Sequence, residues 1–293
     1  MKAGAALLLT AELLFALSTV FVKFVTNGTD ISGIEISFFR FFTGFILTSA
    51  IILSSGEKTV VVKPFNVYMR GIFNTVAVIF FFLGVQYTTV SKTNLLNMTY
   101  PIFVFIISPF ITKEKIPRDL FVFLFLVIAG IYLVVIPSGS SFGGVNKGDI
   151  FSLLSGITAG FSISFLREAR KTDSTRTILI YLFSIGCVIS GIIMANSFKI
   201  PSGIFIFYIF LVAIFSYIGQ FLITTGYKCV SATAGSIISS SRIVFAIFLG
   251  AVIFSEPVTL RIITGSLLIM ISLAGVNGLF RNLWNLWILN KKR

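Results

Sequence analysis

Apolar residues in this chain gather into runs of 17 to 23 residues, separated by short segments carrying most of the Lys, Arg, Asp and Pro. A membrane-crossing helix needs about 20 mainly apolar residues. The pattern therefore predicts ten spans, at 3–25, 34–54, 69–86, 93–111, 120–136, 150–166, 177–195, 203–225, 232–254 and 258–279. Hydrocarbon offers no partner to an open backbone, so each span is expected to be a helix. None of the runs shows the short alternating pattern of a membrane barrel. The expected fold is an all-α integral membrane protein of ten transmembrane helices.

The polar punctuation repeats. Tyr87-Thr88-Thr89-Val90-Ser91-Lys92-Thr93 and Tyr227-Lys228-Cys229-Val230-Ser231-Ala232-Thr233 share the pattern Tyr-x-x-Val-Ser-x-Thr. Each opens an apolar run that closes on a glutamate, Glu114 within Lys113-Glu114-Lys115 and Glu256 within Ser255-Glu256-Pro257. Ala16-Leu17-Ser18 with Phe21 and Lys23 likewise aligns with Gly160-Phe161-Ser162, Phe165 and Arg167. A repeat at this spacing divides the chain into five-span units, 1–136 and 150–279. Five is odd, so the second unit enters the membrane from the opposite side. Two inverted five-helix repeats are the plan expected for a carrier that exposes a midplane site to each side in turn. Residues 137–149, rich in Ser and Gly, read as a flexible linker. Apolar positions 280, 283, 284 and 287 in the tail 280–293 share one helical face and predict an interfacial cytoplasmic helix.

Composition agrees: 56% of residues are hydrophobic, Lys and Arg number 23 against 10 Asp and Glu, and there is no His. The basic residues sit in loops rather than on a face with interleaved aromatics, so nucleic acid is not an expected partner. They fall mostly on the side that holds both ends of a ten-span chain. That places both termini in the cytoplasm, with a bacterial or archaeal plasma membrane as the expected location. Met1-Lys2 and the following run read as the first span, because Glu12 interrupts the run and no small-x-small cleavage site follows. Cys187 and Cys229 have no CxxC spacing and read as packing residues. No metal site or cofactor is indicated. The expected partners are the lipid bilayer and a small solute, and a homodimer is compatible with this plan.

Charges within spans face a cavity or a partner. Glu12 lies about nine residues into its span, or roughly 14 Å deep, and Arg242 lies about as deep in the ninth. The two are a candidate pair, either as a fixed bridge or on a transport path. Asn94, Asn97 and Tyr100, at spacings of three, are candidates to line a cavity from the fourth span. Tyr217 and Gln220 are candidates from the eighth, and Asn74 stands in the third. Pro101 is expected to kink the fourth span, as a static bend or a gate. Lys23 and Arg40 read as structural residues near the outer ends of their spans. The Gly156/Gly160 pair is a close-packing face.

These residues give the chain its resemblance to the drug/metabolite transporter superfamily, in its EamA-like branch. The matching positions are Ser18 and Lys23 in the first span, Arg40 in the second, Pro101 in the fourth, the closing Glu114 and Glu256, and Gly130 and Gly265 in the last span of each half. The chain departs from the family pattern at Ala16-Leu17, where Trp-Gly is frequent. The resemblance implies a secondary transporter, in the export direction, of a small polar metabolite such as an amino acid or related zwitterion, with a central cavity. The alternative is a receptor or assembly subunit that does not transport. An ATP-driven pump is not indicated, since no GxxxxGK[ST] occurs. Intramembrane Ser–His or His–metal catalysis is excluded by the absence of His.

Overall fold

The computed structural model describes residues 2–56, 59–112, 120–135, 145–195, 198–229, 238–239 and 241–276. Glu114, the tail 280–293 and most of the linker between the halves lie outside them. Eleven helices and no strand occur among the described residues: α1 (Lys2–Gly28), α2 (Gly33–Ser55), α3 (Pro64–Tyr87), α4 (Val90–Asn97), α5 (Tyr100–Thr112), α6 (Leu120–Val135), α7 (Lys147–Ala169), α8 (Thr175–Met194), α9 (Ile204–Cys229), α10 (Ser241–Phe254) and α11 (Leu260–Val276). All ten apolar runs contain helix, with α4 and α5 dividing one run between them. Six helices, α1, α2, α3, α7, α8 and α9, are each long and apolar enough to cross a membrane.

Burial is inverted relative to a water-soluble protein. Leu53, Ile192 and Ile200 are 82, 72 and 80% exposed, whereas Glu12, Asn94 and Ser155 are fully buried. An apolar exterior around a polar interior is the arrangement a lipid solvent selects. The chain is an integral, multi-pass membrane protein.

The helices pair across the two halves. α1 lies on α9, α3 on α7, α2 on α8, and α6 on α11. Glycines set the closeness of these pairs. In the α2–α8 pair, a Cβ at Gly44 would strike the Phe183 ring and one at Gly186 would strike the Phe41 ring. Each helix thus lodges a phenylalanine in the other's glycine gap, and both rings are fully buried. A Cβ at Gly156 would come 2.9 Å from the Leu96 carbonyl oxygen and one at Gly160 2.5 Å from Phe103 Cβ, which is how α7 seats against α4 and α5.

Helix ends are tied by carboxylates. Glu35 forms a capping box with Ser32 and also accepts the Lys199 backbone N–H at 2.6 Å. Asp149 forms one with Asn146 and accepts the Thr88 hydroxyl at 2.9 Å. Glu256, after α10, accepts the backbone N–H of Val90 at 2.7 Å and of Ser91 at 3.0 Å, together with the Ser91 hydroxyl at 2.6 Å. Helix α4 therefore has its first, otherwise unbonded N–H groups capped by a residue far along the chain. At the opposite end of the bundle Asp173 accepts the N–H of Val62 at 2.7 Å and of Lys63 at 3.3 Å.

The run expected to be one kinked helix is instead broken. α4 ends at Asn97 and α5 begins at Tyr100, with Met98 and Thr99 in a turn. Pro101 lacks an N–H, and its ring would collide with the carbonyl four residues back, at Asn97. The Thr99 hydroxyl donates to the Leu96 carbonyl at 2.7 Å and satisfies one of the acceptors left over. Pro101 thus sits in the first turn of α5, where its ring fits.

Candidate functional site

At the centre of the bundle lies a cavity with about 710 Å³ of empty space, counting its mouth. Helix α1 contributes Phe15 and Ser18, α2 Arg40, and α3 Arg70 and Asn74. Asn97 and Tyr100 reach it from either side of the α4–α5 break, Ser155 from α7, Ser216 and Gln220 from α9, and Arg242 from α10. The wall is therefore shared between the two halves of the sequence.

Arg242 donates from Nε to Glu12 at 2.6 Å. Glu12 is fully buried behind it and Arg242 faces the space. The Arg242 guanidinium also lies 4.6 Å from the centre of the Phe15 ring, a cation–π contact. Arg40, only 6% exposed, is framed by rings, with its guanidinium 5.7, 5.8 and 6.0 Å from Phe82, Phe41 and Phe15. Arg70 donates to the Ser162 hydroxyl at 2.6 Å. Ser18 and Ser216 share a hydrogen bond of 2.8 Å across α1 and α9.

Asn97 donates to the Ser155 hydroxyl at 2.7 Å, and Ser155 donates onward to the Ala77 carbonyl at 2.8 Å. Asn94 is not part of the cavity wall. It is fully buried, and its amide bonds back to the Val90 carbonyl at 2.9 Å, because a buried amide without a cross-helix partner takes its own helix's carbonyl. Tyr217 packs beside Phe183, with ring centres 5.8 Å apart, and joins the apolar core instead of the wall. Gln220, one turn on, does reach the wall.

Arg40, read from sequence as structural, is placed on the wall, about a third of the way along α2. Lys23 is placed away from it, donating to the Val85 and Thr88 carbonyls at 3.0 and 2.8 Å, where it caps the C-terminus of α3. Arg70 was not a candidate from sequence, because a third span starting at 69 put it at the very end of its helix. The missed signal was Pro64, a residue suited to the first turn of a helix; α3 begins there and carries Arg70 inside.

A polar cavity walled by helices from both halves of an apolar bundle is the arrangement expected of a membrane carrier. The profile of the EamA-like transporter family matches twice, over residues 2–136 and 146–278. The chain belongs to the EamA-like transporter family. It is 23% identical over 273 residues to the pseudopaline exporter CntI of Pseudomonas aeruginosa, covering 93% of this chain and 95% of that one. To the S-adenosylmethionine uptake transporter of Rickettsia bellii it is 21% identical over 230 residues, 78% of each chain. A solved crystal structure shares its fold with a TM-score of 0.68 at 17% identity, over 97% of this chain and 99% of that one.

Proposed function

We propose that this protein is a secondary transporter that moves a small polar metabolite by alternating access to the central cavity, built as two inverted five-helix repeats. The observation that carries the reading is the cavity itself, whose polar wall is drawn from both halves. The repeat plan is supported by the double match to one family profile and by the pairing of α1 with α9 and α3 with α7. These are the reciprocal contacts expected when the first helix of each repeat meets the third helix of the other. Under this reading the candidate solute-binding residues are Asn97, Tyr100, Gln220, Arg40, Arg70 and Arg242, with Glu12 orienting Arg242. Both termini are cytoplasmic in this reading, and the direction is export, as the name of the Pseudomonas relative states for that protein.

The test is flux. Purified full-length protein in proteoliposomes is offered a panel of small polar solutes, with and without a pH gradient. Saturable movement of at least one solute, abolished in Arg242→Met, is expected. Binding of solutes with no movement of any of them would leave a receptor or assembly subunit as the better account.

A further inference from the structure

Arg40 is a buried cation on the cavity wall, and among the described residues it makes no hydrogen bond and no ion pair. Arg242 has Glu12, and Arg70 has the Ser162 hydroxyl. The other described carboxylates are engaged elsewhere. Glu35, Asp149 and Glu256 cap helices, Asp173 holds a loop, and Asp30 and Glu168 pair with lysines. The neighbours of the Arg40 guanidinium are the rings of Phe15, Phe41 and Phe82. Their faces attract its charge but accept nothing from its in-plane N–H groups.

Two amides on the wall share this condition. Asn74 Nδ2 on α3 and Gln220 Nε2 on α9 are buried without an acceptor among the described residues, as is Arg40 Nε on α2. Three helices, drawn from both halves, thus bring unmet donors to one cavity. A buried donor without an acceptor is destabilising, and an unpaired buried cation more so. Water in the cavity can accept from the amides but leaves the guanidinium charge uncompensated. A compact oxyanion meets both needs, because a guanidinium gives two parallel bonds to one carboxylate or phosphate.

We infer that Arg40 anchors an oxyanion subsite, flanked by Asn74 and Gln220 as donors, and that the solute carries a carboxylate or phosphate group which docks there. Glu12 already balances Arg242, so the acid group sits at Arg40 and not at Arg242. Val78, Phe81 and Ile223 on the same wall are left for the organic body of the solute. The inference rests on the transport reading only in taking the cavity as the place where solute binds.

The experiment is thermal unfolding of the purified full-length protein in detergent. Sodium acetate, sodium phosphate and acetamide are each compared with sodium chloride at equal ionic strength. Acetate, phosphate or both raise the melting temperature by about 2–4 °C once the site is mostly filled. Acetamide, shaped like acetate but uncharged, does not. Which oxyanion acts separates carboxylate from phosphate recognition. Exclusion of these salts from the protein surface also stabilises, but Arg40→Gln shares that effect, so the difference between the two proteins is the readout. Arg40→Gln loses the shift, and Arg40→Lys, which keeps the charge without the fork, retains part of it. Asn74→Leu, a neutral change, reduces it and serves if Arg40→Gln does not fold. No oxyanion shift in the wild type overturns the inference, as does an equal shift with acetamide or in a folded Arg40→Gln. Oxyanion stabilisation without flux in liposomes upholds it while removing the transport reading. Flux of a solute without an acid group, in a protein that no oxyanion stabilises, does the reverse.

Discussion

The carboxylate of Glu256 accepts the hydroxyl of Ser91 at 2.6 Å across 165 residues of sequence. With the two backbone N–H groups it also accepts, Glu256 caps the start of helix α4 from a distant part of the same chain, beside the local N-cap Thr89. The stretch repeated in the sequence as a Ser/Thr opening and a closing glutamate is thus, for this pair, the two halves of one joint. Glu256→Gln removes the charge that complements the helix dipole and costs about 1–2 kcal/mol. Ser91→Ala removes one bond and costs less. Thermal unfolding in detergent measures both, and equal melting temperatures for Glu256→Gln and wild type would contradict the cap.

The Glu12–Arg242 pair calls for a double-mutant cycle. Glu12→Gln and Arg242→Met each leave one buried charge alone, and each lowers stability by about 3–5 kcal/mol. The double mutant recovers much of that stability, since neither charge then remains. Flux does not recover with it, because Arg242 faces the cavity. A double mutant that transports at the wild-type rate would reduce the pair to a removable bridge.

Asn97→Leu separates a wall residue from a structural one. Ser155 keeps its bond to the Ala77 carbonyl when the Asn97 amide is gone, so the yield of folded protein stays near wild type. Transport per folded molecule falls severalfold. Asn94→Leu gives the opposite pattern, as its amide serves only its own helix. Yield by size-exclusion chromatography, set beside flux, reads both.

Orientation is tested at the two ends of α7. Lys147 and Lys171 are exposed and bracket that helix. In a chain whose two native cysteines are replaced by serine, a cysteine at 147 labels with an impermeant maleimide in intact cells. One at 171 labels only after the membrane is opened. The reverse pattern inverts the topology drawn from the loop charges.

The positions of the spans were legible because a 20-residue apolar run has one physical reading in a bilayer. So was the meeting of Glu12 and Arg242, since helical rise converts sequence position into depth. Rotation of a helix about its own axis was less legible. Asn94 and Asn97 were expected to line the cavity together, and both lie in α4, but the Asn97 amide reaches across to Ser155 on the wall whereas the Asn94 amide turns back to the Val90 carbonyl of its own helix. Tyr217 and Gln220 divide in the same way between Phe183 and the cavity. Arg40 was read as structural from its depth alone, because the rings of Phe15, Phe41 and Phe82, from three helices, that frame it on the cavity wall were not visible in sequence. Arg70 was lost to a span start placed at 69 when Pro64 begins the helix.

The interlock of α2 and α8 has a mechanical consequence. Phe41 fills the gap at Gly186 and Phe183 the gap at Gly44, so neither helix can slide along the other without withdrawing a ring from its socket. Each is also pinned at its start: Glu35, in the first turn of α2, holds the Lys199 backbone just beyond α8, and Asp173, just before α8, holds the Val62–Lys63 segment beyond α2. Fastened in the middle and at both faces of the membrane, the two helices behave as a single keel. Under the transport reading, the helices that swing to admit and release solute do so against this joined pair, which carries Arg40.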